Sequence, residues 1–120
     1  MGSMTDWDDK APIYQQLRTL VISQILSGHL AEGEVIPSVR QVAGDERVNP
    51  LTVSRAYQLL VDEGLLEKRR GLGMFVTTGA RDKALTQERG RFLADEWPQT
   101  KARIAELGLD IETLLTKGDQ

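Results

Sequence analysis

The chain has no cysteine and a single histidine. Without thiols there is no disulfide framework and no thiolate chemistry, which fits a reducing cytoplasm. His29 alone, with no second imidazole or cysteine, cannot form a usual transition-metal set and reads as a loop residue. No apolar run approaches the roughly 20 residues that cross a bilayer, and no charged-then-apolar leader precedes a small-residue cleavage site. The expectation is a soluble, cytoplasmic protein with no membrane partner. A Gly-Lys-Ser/Thr phosphate loop and a nucleophile with its base are also missing, and the carboxylates are scattered along helix-like segments. Catalytic, cofactor-binding and metal-ligating residues are therefore each expected to be none, and the chain is not read as an enzyme.

Positive charge is in short supply overall, with a net charge of −3, and that counts against a polyanionic partner because counterion release rewards a basic footprint. Its distribution matters more. Asp6, Asp8 and Asp9 weight the first ten residues, whereas residues 11–79 balance seven basic against seven acidic side chains. Within that balanced part Arg40, Arg47, Arg55, Lys68, Arg69 and Arg70 gather around one predicted helix and the segment after it. What the 120 residues do contain, 40% hydrophobic and 28% charged, suits one small domain plus an appendage. So short a domain buries a modest core, which favours association.

Met1, Gly2 and Ser3 before a second Met look like a cloning remnant, so residues 1–10 are read as a lead-in. Trp7 has no placement from sequence. Pro12 opens a helix to about residue 27, with Ile13, Leu17, Val21 and Ile25 spaced by four, Leu20 and Ile22 widening the stripe and Gly28 stopping it. Residues 30–36 form a loop ending in a short extended piece at Val35 and Ile36. After Pro37, Ser38 and Gln41 make a capping box for a second helix whose inner face is Val39, Val42 and Ala43. It ends near Arg47, and Val48 plugs the turn.

Asn49 caps a third helix, Pro50 suits its first turn, and Gly64 can take the left-handed conformation after its end. At about 100° per residue, Val53, Ala56, Tyr57 and Leu60 share one side, while Leu51, Ser54, Arg55 and Gln58 lie opposite. The outward set can read a DNA groove: Arg pairs with guanine O6 and N7, Ser and Gln with base edges, Leu51 with a thymine methyl, and Thr52 at the border with a phosphate. An ordinary solvated helix face is the alternative. Beyond Gly64 the pattern alternates, giving strands at 65–70 and 74–77 around the turn Gly71-Leu72-Gly73. Glycines beside Lys68, Arg69 and Arg70 allow close approach to a phosphate ridge; a plain structural hairpin is the competing reading.

The run from Pro12 to Val76 resembles the winged helix-turn-helix domain of the GntR family of bacterial transcription regulators. The matching elements are Pro12-Ile13-Tyr14-Gln15-Gln16-Leu17, Gly28-His29-Leu30, Gly33-Glu34, Ile36-Pro37-Ser38-Val39-Arg40, Ala43 and Val48. They continue through Asn49 to Tyr57, Glu63-Gly64-Leu65 and Arg70 to Val76. Asn49-Pro50, Ala56-Tyr57 and the short tail look most like the YtrA subfamily, whose members carry a two-helix dimerisation segment and commonly repress operons encoding ABC transporters, often including their own gene. The resemblance implies DNA contacts from Arg40 in helix two, from Thr52, Ser54 and Arg55, and from Arg70 and Gly71 at the wing tip. The full expected DNA-binding set is Ser38, Arg40, Asn49, Thr52, Ser54, Arg55, Gln58, Arg69, Arg70, Gly71 and Gly73. Glu46 departs from the family pattern where an apolar residue usually closes helix two, Arg47 where Gly or Asn usually turns, and Leu51 where a polar residue is frequent.

The expected fold class is α+β, mostly α: a winged helix-turn-helix domain over 11–79 and a helical dimerisation segment over 80–120. In that tail Pro98 should kink or break the helix. Leu85 and Phe92, and Trp97 and Ile104, are each seven apart, with Leu93 beside them. Gly108 ends the helix with Leu109 closing a Schellman motif, and Asp110 caps a last helix holding Ile111, Leu114 and Leu115. A second copy would cover Leu85, Phe92, Leu93, Trp97, Ile104, Leu107, Ile111 and Leu114; folding back onto the same domain is the alternative. The partners expected are a double-stranded DNA operator read by a homodimer with half-sites about 34 Å or a multiple apart, and an effector whose site would lie at the dimer interface. A winged helix serving protein assembly without an operator is the competing function.

Overall fold

The computed structural model describes residues 7–117; the segment read as a cloning remnant lies outside them. The described residues divide into two compact units between Leu85 and Thr86.

The first unit contains α1 (Ile13–Ser27), α2 (Val39–Glu46), α3 (Pro50–Asp62), β1 (Leu66–Arg69), β2 (Gly73–Val76) and the start of α4 (Ala80–Arg91). Leu17, Val21, Ile22 and Ile25 of α1 meet Val42 of α2, Val53, Ala56, Tyr57 and Leu60 of α3, and Leu65, Leu66 and Val76 of the hairpin in one core. Ile13, expected in the α1 stripe, is exposed instead, and Arg18 is buried. The four-residue spacing runs one turn too far because the packed stripe begins at Leu17. Arg18 goes inside because its Nε and Nη2 donate to the two carboxylate oxygens of Glu63 at the end of α3, and a bidentate pair can offset the desolvation of a guanidinium.

Each helix boundary has a local cause. Ser38 accepts a hydrogen bond from Gln41 N at 3.1 Å, but the return bond of the expected capping box is absent among the described residues, so this is a one-way cap. At the other end of α2, Arg47 takes φ 54° and ψ 48°, the only non-glycine with positive φ among the described residues. Val48 N reaches Ala43 O at 3.0 Å, which turns the chain into α3. Glu46, where the family resemblance leads one to expect an apolar residue, is 3% exposed. Asn49 caps α3 by accepting from Leu51 N at 2.8 Å, and Gly64 closes it at φ 78° with Leu65 N donating to Leu60 O at 2.9 Å.

β1 and β2 pair antiparallel in the register Leu66 with Val76 to Arg69 with Gly73. The extended piece at Val35 and Ile36 adds to the other edge of β2: Val35 bridges Phe75, and Ile36 N donates to Met74 O at 2.8 Å. The compact unit runs past residue 79 because Ala80 and Ala84 are fully buried in its core. Glu32 holds the start of α4, accepting from Gly79 N at 2.8 Å and Arg81 N at 3.1 Å. Those two N–H groups hold the Glu32 carboxyl below its ordinary value.

The second unit continues α4 through a wide turn at Phe92–Glu96 into α5 (Trp97–Glu106), followed by α6 (Ile111–Lys117). Of the kink or break expected at Pro98, no break occurs; the helix changes its winding just before the ring instead. The turn before it is π-helical, with Trp97 N–H donating to Phe92 O, five residues back. Widening the winding there accommodates a ring that would otherwise meet the preceding carbonyls, and it leaves Pro98 in the first turn of α5, where a missing N–H is tolerated. Gly108 then ends α5 in a Schellman close, with Leu109 N donating to Ile104 O at 3.0 Å. Asp110 caps α6 through Thr113 N at 3.2 Å.

Candidate nucleic-acid interface

α3 sorts its side chains as an amphipathic helix must. Val53, Ala56, Tyr57 and Leu60 are buried, whereas Leu51, Ser54, Arg55 and Gln58 are exposed and Thr52 is half-buried. Tyr57 anchors the helix to the start of α2, its hydroxyl donating to Pro37 O at 2.7 Å. Burial pushes the Tyr57 phenol well above its ordinary value, so it stays a neutral donor.

The structure brings part of the expected set together. Ser38 at the mouth of α2, Ser54 and Gln58 on α3, and Gly73 on β2 line one open cleft of about 280 Å³, together with Val39, Tyr57, Lys68 and Met74. Arg40 projects exposed from the first turn of α2, and Asn49 spends its side-chain oxygen on the α3 cap. Gln58 is tied to Asp62 Oδ1 at 2.8 Å.

On the wing, strand alternation separates neighbouring cations. Lys68 pairs across to Met74 and lines the cleft beside α3. Arg69 lies over the Phe75 ring at 4.1 Å and donates to Glu67 Oε1 at 2.7 Å. The cation in the cleft is thus Lys68, which the sequence reading left out of the contact set although period-two alternation could have assigned it. Arg70, Gly71 and Leu72 form the exposed tip, with Gly71 at φ 77°. Gly73, at φ 118°, has Val35 Cγ2 only 3.2 Å from where a Cβ would stand, so a side chain there would both strain the turn and crowd the third strand piece.

Tyr14 stands outside the expected set but touches one of its members. Its ring lies 3.8 Å from the Arg55 guanidinium carbon, a pairing between α1 and α3 that no local spacing reveals. Among the described residues no cluster of His, Cys, Asp or Glu could hold a metal, and no helix is long and apolar enough to cross a membrane.

A family model described as bacterial regulatory proteins, gntR family, matches residues 12–76, the span from the opening of α1 to the end of the wing. The chain belongs to the GntR family. It is 31% identical to the HTH-type transcriptional repressor YtrA of Bacillus subtilis over 86% of this chain and 78% of that one, which fits the YtrA subfamily. A GntR family transcriptional regulator from Listeria monocytogenes superposes with a TM-score of 0.75 at 26% identity, covering 92% of this chain and 95% of the other. The DNA-binding domain of AraR, solved in complex with operator ORX1, superposes with a TM-score of 0.57 at 25% identity over 62% of this chain and 95% of that one. This GntR member is a winged-helix, DNA-binding transcription regulator.

Proposed function

We propose that the chain acts as a homodimeric repressor that reads a two-fold operator through α3 and the wing. The observation carrying this reading is the exposed face of α3. Arg55 there has no hydrogen bond or ion pair among the described residues, so all five of its N–H donors stay available to a guanine edge. Ser54 and Leu51 lie on the same exposed face, and Thr52, Ser38 and Arg40 would meet phosphates. Lys68 follows the backbone along the cleft, and Arg70 with Gly71 approaches it at the tip. Arg69 and Gln58, held by Glu67 and Asp62, would have to exchange those partners for DNA.

Dimerisation rests on the second unit, whose described residues include no fully buried side chain. Phe92, Leu93, Leu107 and Leu114 are exposed, and Trp97, Ile104 and Ile111 are half-buried; Leu85 at the end of the first unit is half-buried too. A twin chain is the cover that would bury this apolar set and fix the distance between two reading helices. Support for repression of an ABC-transporter operon comes from the YtrA likeness, and a small-molecule effector would bind between the two tails.

Selection of bound sequences from a random DNA pool at two salt concentrations tests the reading. A two-fold consensus is expected, with Arg55→Ala costing about 1 to 3 kcal/mol and relaxing preference at one base pair. Operator binding by Arg55→Ala as tight as the parent's would refute the assignment of the reading face. Absence of duplex binding at low salt would favour the assembly-module alternative.

A further inference from the structure

We infer that Tyr14, on the first turn of α1, is a positioning and specificity-determining residue that presets the Arg55 guanidinium for base reading. The inference rests on Arg55 reading a base, as proposed above. An exposed arginine is a poor reading group by itself, because its long side chain samples many rotamers and must lose that freedom on binding. Here the guanidinium carbon sits 3.8 Å from the centre of the Tyr14 ring. The contact uses the aromatic face and none of the N–H donors, so it restricts Arg55 without occupying the groups that would meet guanine.

The ring itself is firmly placed. Pro12 O accepts from Gln15 N at 3.0 Å and Gln16 N at 3.2 Å at the head of α1. The Gln16 side chain donates to Ala11 O at 2.6 Å and Asp8 O at 2.8 Å, tying the lead-in to that turn. Gln15 Nε2 donates to the Tyr14 hydroxyl at 3.2 Å, and Tyr14 packs on the core. One turn further along, the buried Arg18 to Glu63 pair joins α1 to α3. The platform and the residue it holds are therefore carried by helices fastened to each other, which is what precise placement of a reading group requires.

The experiment titrates the parent, Tyr14→Leu, Tyr14→Phe, Arg55→Ala and the double variant Tyr14→Leu/Arg55→Ala against the operator selected by the parent. The same proteins are titrated against single-base-pair variants of that operator and an unrelated duplex, with folding checked by thermal melts. An exposed cation–π contact corresponds to about a two- to five-fold change in affinity. Tyr14→Leu is expected to lose that much on the operator, flatten discrimination at the base pair that Arg55→Ala also flattens, and leave the unrelated duplex and the salt slope as in the parent. In the Arg55→Ala background it should cost nothing further, and Tyr14→Phe, which keeps the ring, should bind as the parent does.

Parent-like binding by Tyr14→Leu alongside a weakened Arg55→Ala would overturn the positioning role while the reading face stands. Additive losses would overturn it by making Tyr14 an independent contact, and a Tyr14→Phe as weak as Tyr14→Leu would do so by assigning the effect to the hydroxyl. An unimpaired Arg55→Ala would remove the reading face and the positioning role together.

Discussion

Replacing Tyr57 with Phe removes one oxygen from the middle of the DNA-binding unit, and its effect can be worked out from the surroundings. The ring is 1% exposed, and its hydroxyl donates to Pro37 O at 2.7 Å. Phe keeps the packing, so no cavity term arises; the loss is one hydrogen bond plus a carbonyl left without its donor. Net hydrogen bonds contribute about 0.5 to 1.5 kcal/mol and a stranded buried partner costs about 1 to 3. Because Pro37 is only half-buried, water relieves part of the second cost, and about 1 to 2 kcal/mol is expected. For a domain of this size that corresponds to a drop of roughly 4 to 16 °C in melting temperature. In urea the midpoint should fall at unchanged slope, since the surface exposed on unfolding is the same. The phenol adds a pH signature. Its folded-state pKa is raised by burial, so the stability it contributes is complete below the unfolded value of about 10 and is lost as pH rises beyond it. The gap between parent and Tyr57→Phe should therefore narrow above about pH 10. Equal stability at neutral pH, or a gap that stays constant into alkali, would refute the assignment of Tyr57 as a buried neutral donor.

Arg47→Gly should stabilise the fold by about 0.5 to 1 kcal/mol in chemical denaturation, because relief of about 1 to 2 kcal/mol of left-handed strain exceeds the unfolded-state entropy of glycine; a lower midpoint would contradict it. Leu51 is 77% exposed on the outward face of α3, so if that face reads the groove as proposed, replacing operator thymines one at a time with deoxyuridine should cost about three- to four-fold at one position, the value of one methyl group. The penalty should vanish in Leu51→Ala, and its persistence there would exclude Leu51 as the methyl contact. With Glu32 held below its ordinary value by Gly79 N and Arg81 N, its contribution is present above the ordinary carboxylate range and lost as pH falls through the depressed value. Parent and Glu32→Gln denaturation midpoints should therefore converge in acid, and parallel curves would argue against the clamp.

What could be read in advance was chemistry acting between near neighbours in the chain. Asn49, Pro50 and Gly64 mark both ends of α3 because capping and left-handed closure are decided within a few residues, and the 100° periodicity then separates Val53 and Tyr57 from Ser54 and Arg55. The wing followed from alternation and two glycines. Pairings across helices were hidden. Arg18 counts as outward in any hydropathy pattern, and its bidentate pair with Glu63, 45 residues later, helps make its burial tolerable; Tyr14 carries no mark of its contact with Arg55. Ile13 was placed inside by a spacing that holds, around a helix whose packing starts one turn later. At Pro98 the steric rule was sound, but the helix has a second way to satisfy it besides breaking.

That second way has a consequence for the tail. On an ordinary 3.6-residue winding, positions five apart point about 140° away from each other, so Phe92 and Trp97 would look in different directions. With one residue looped out between them, their rings come to 6.4 Å at an interplanar angle of 25°. A helical seam that would have lost its phase at Phe92 is thereby reset, and Trp97 with Ile104, one heptad on, resumes it. Deleting a single residue from the wide turn would rewind the segment, swing everything after it by about a hundred degrees, and leave the tail with no one flank that is apolar along its length.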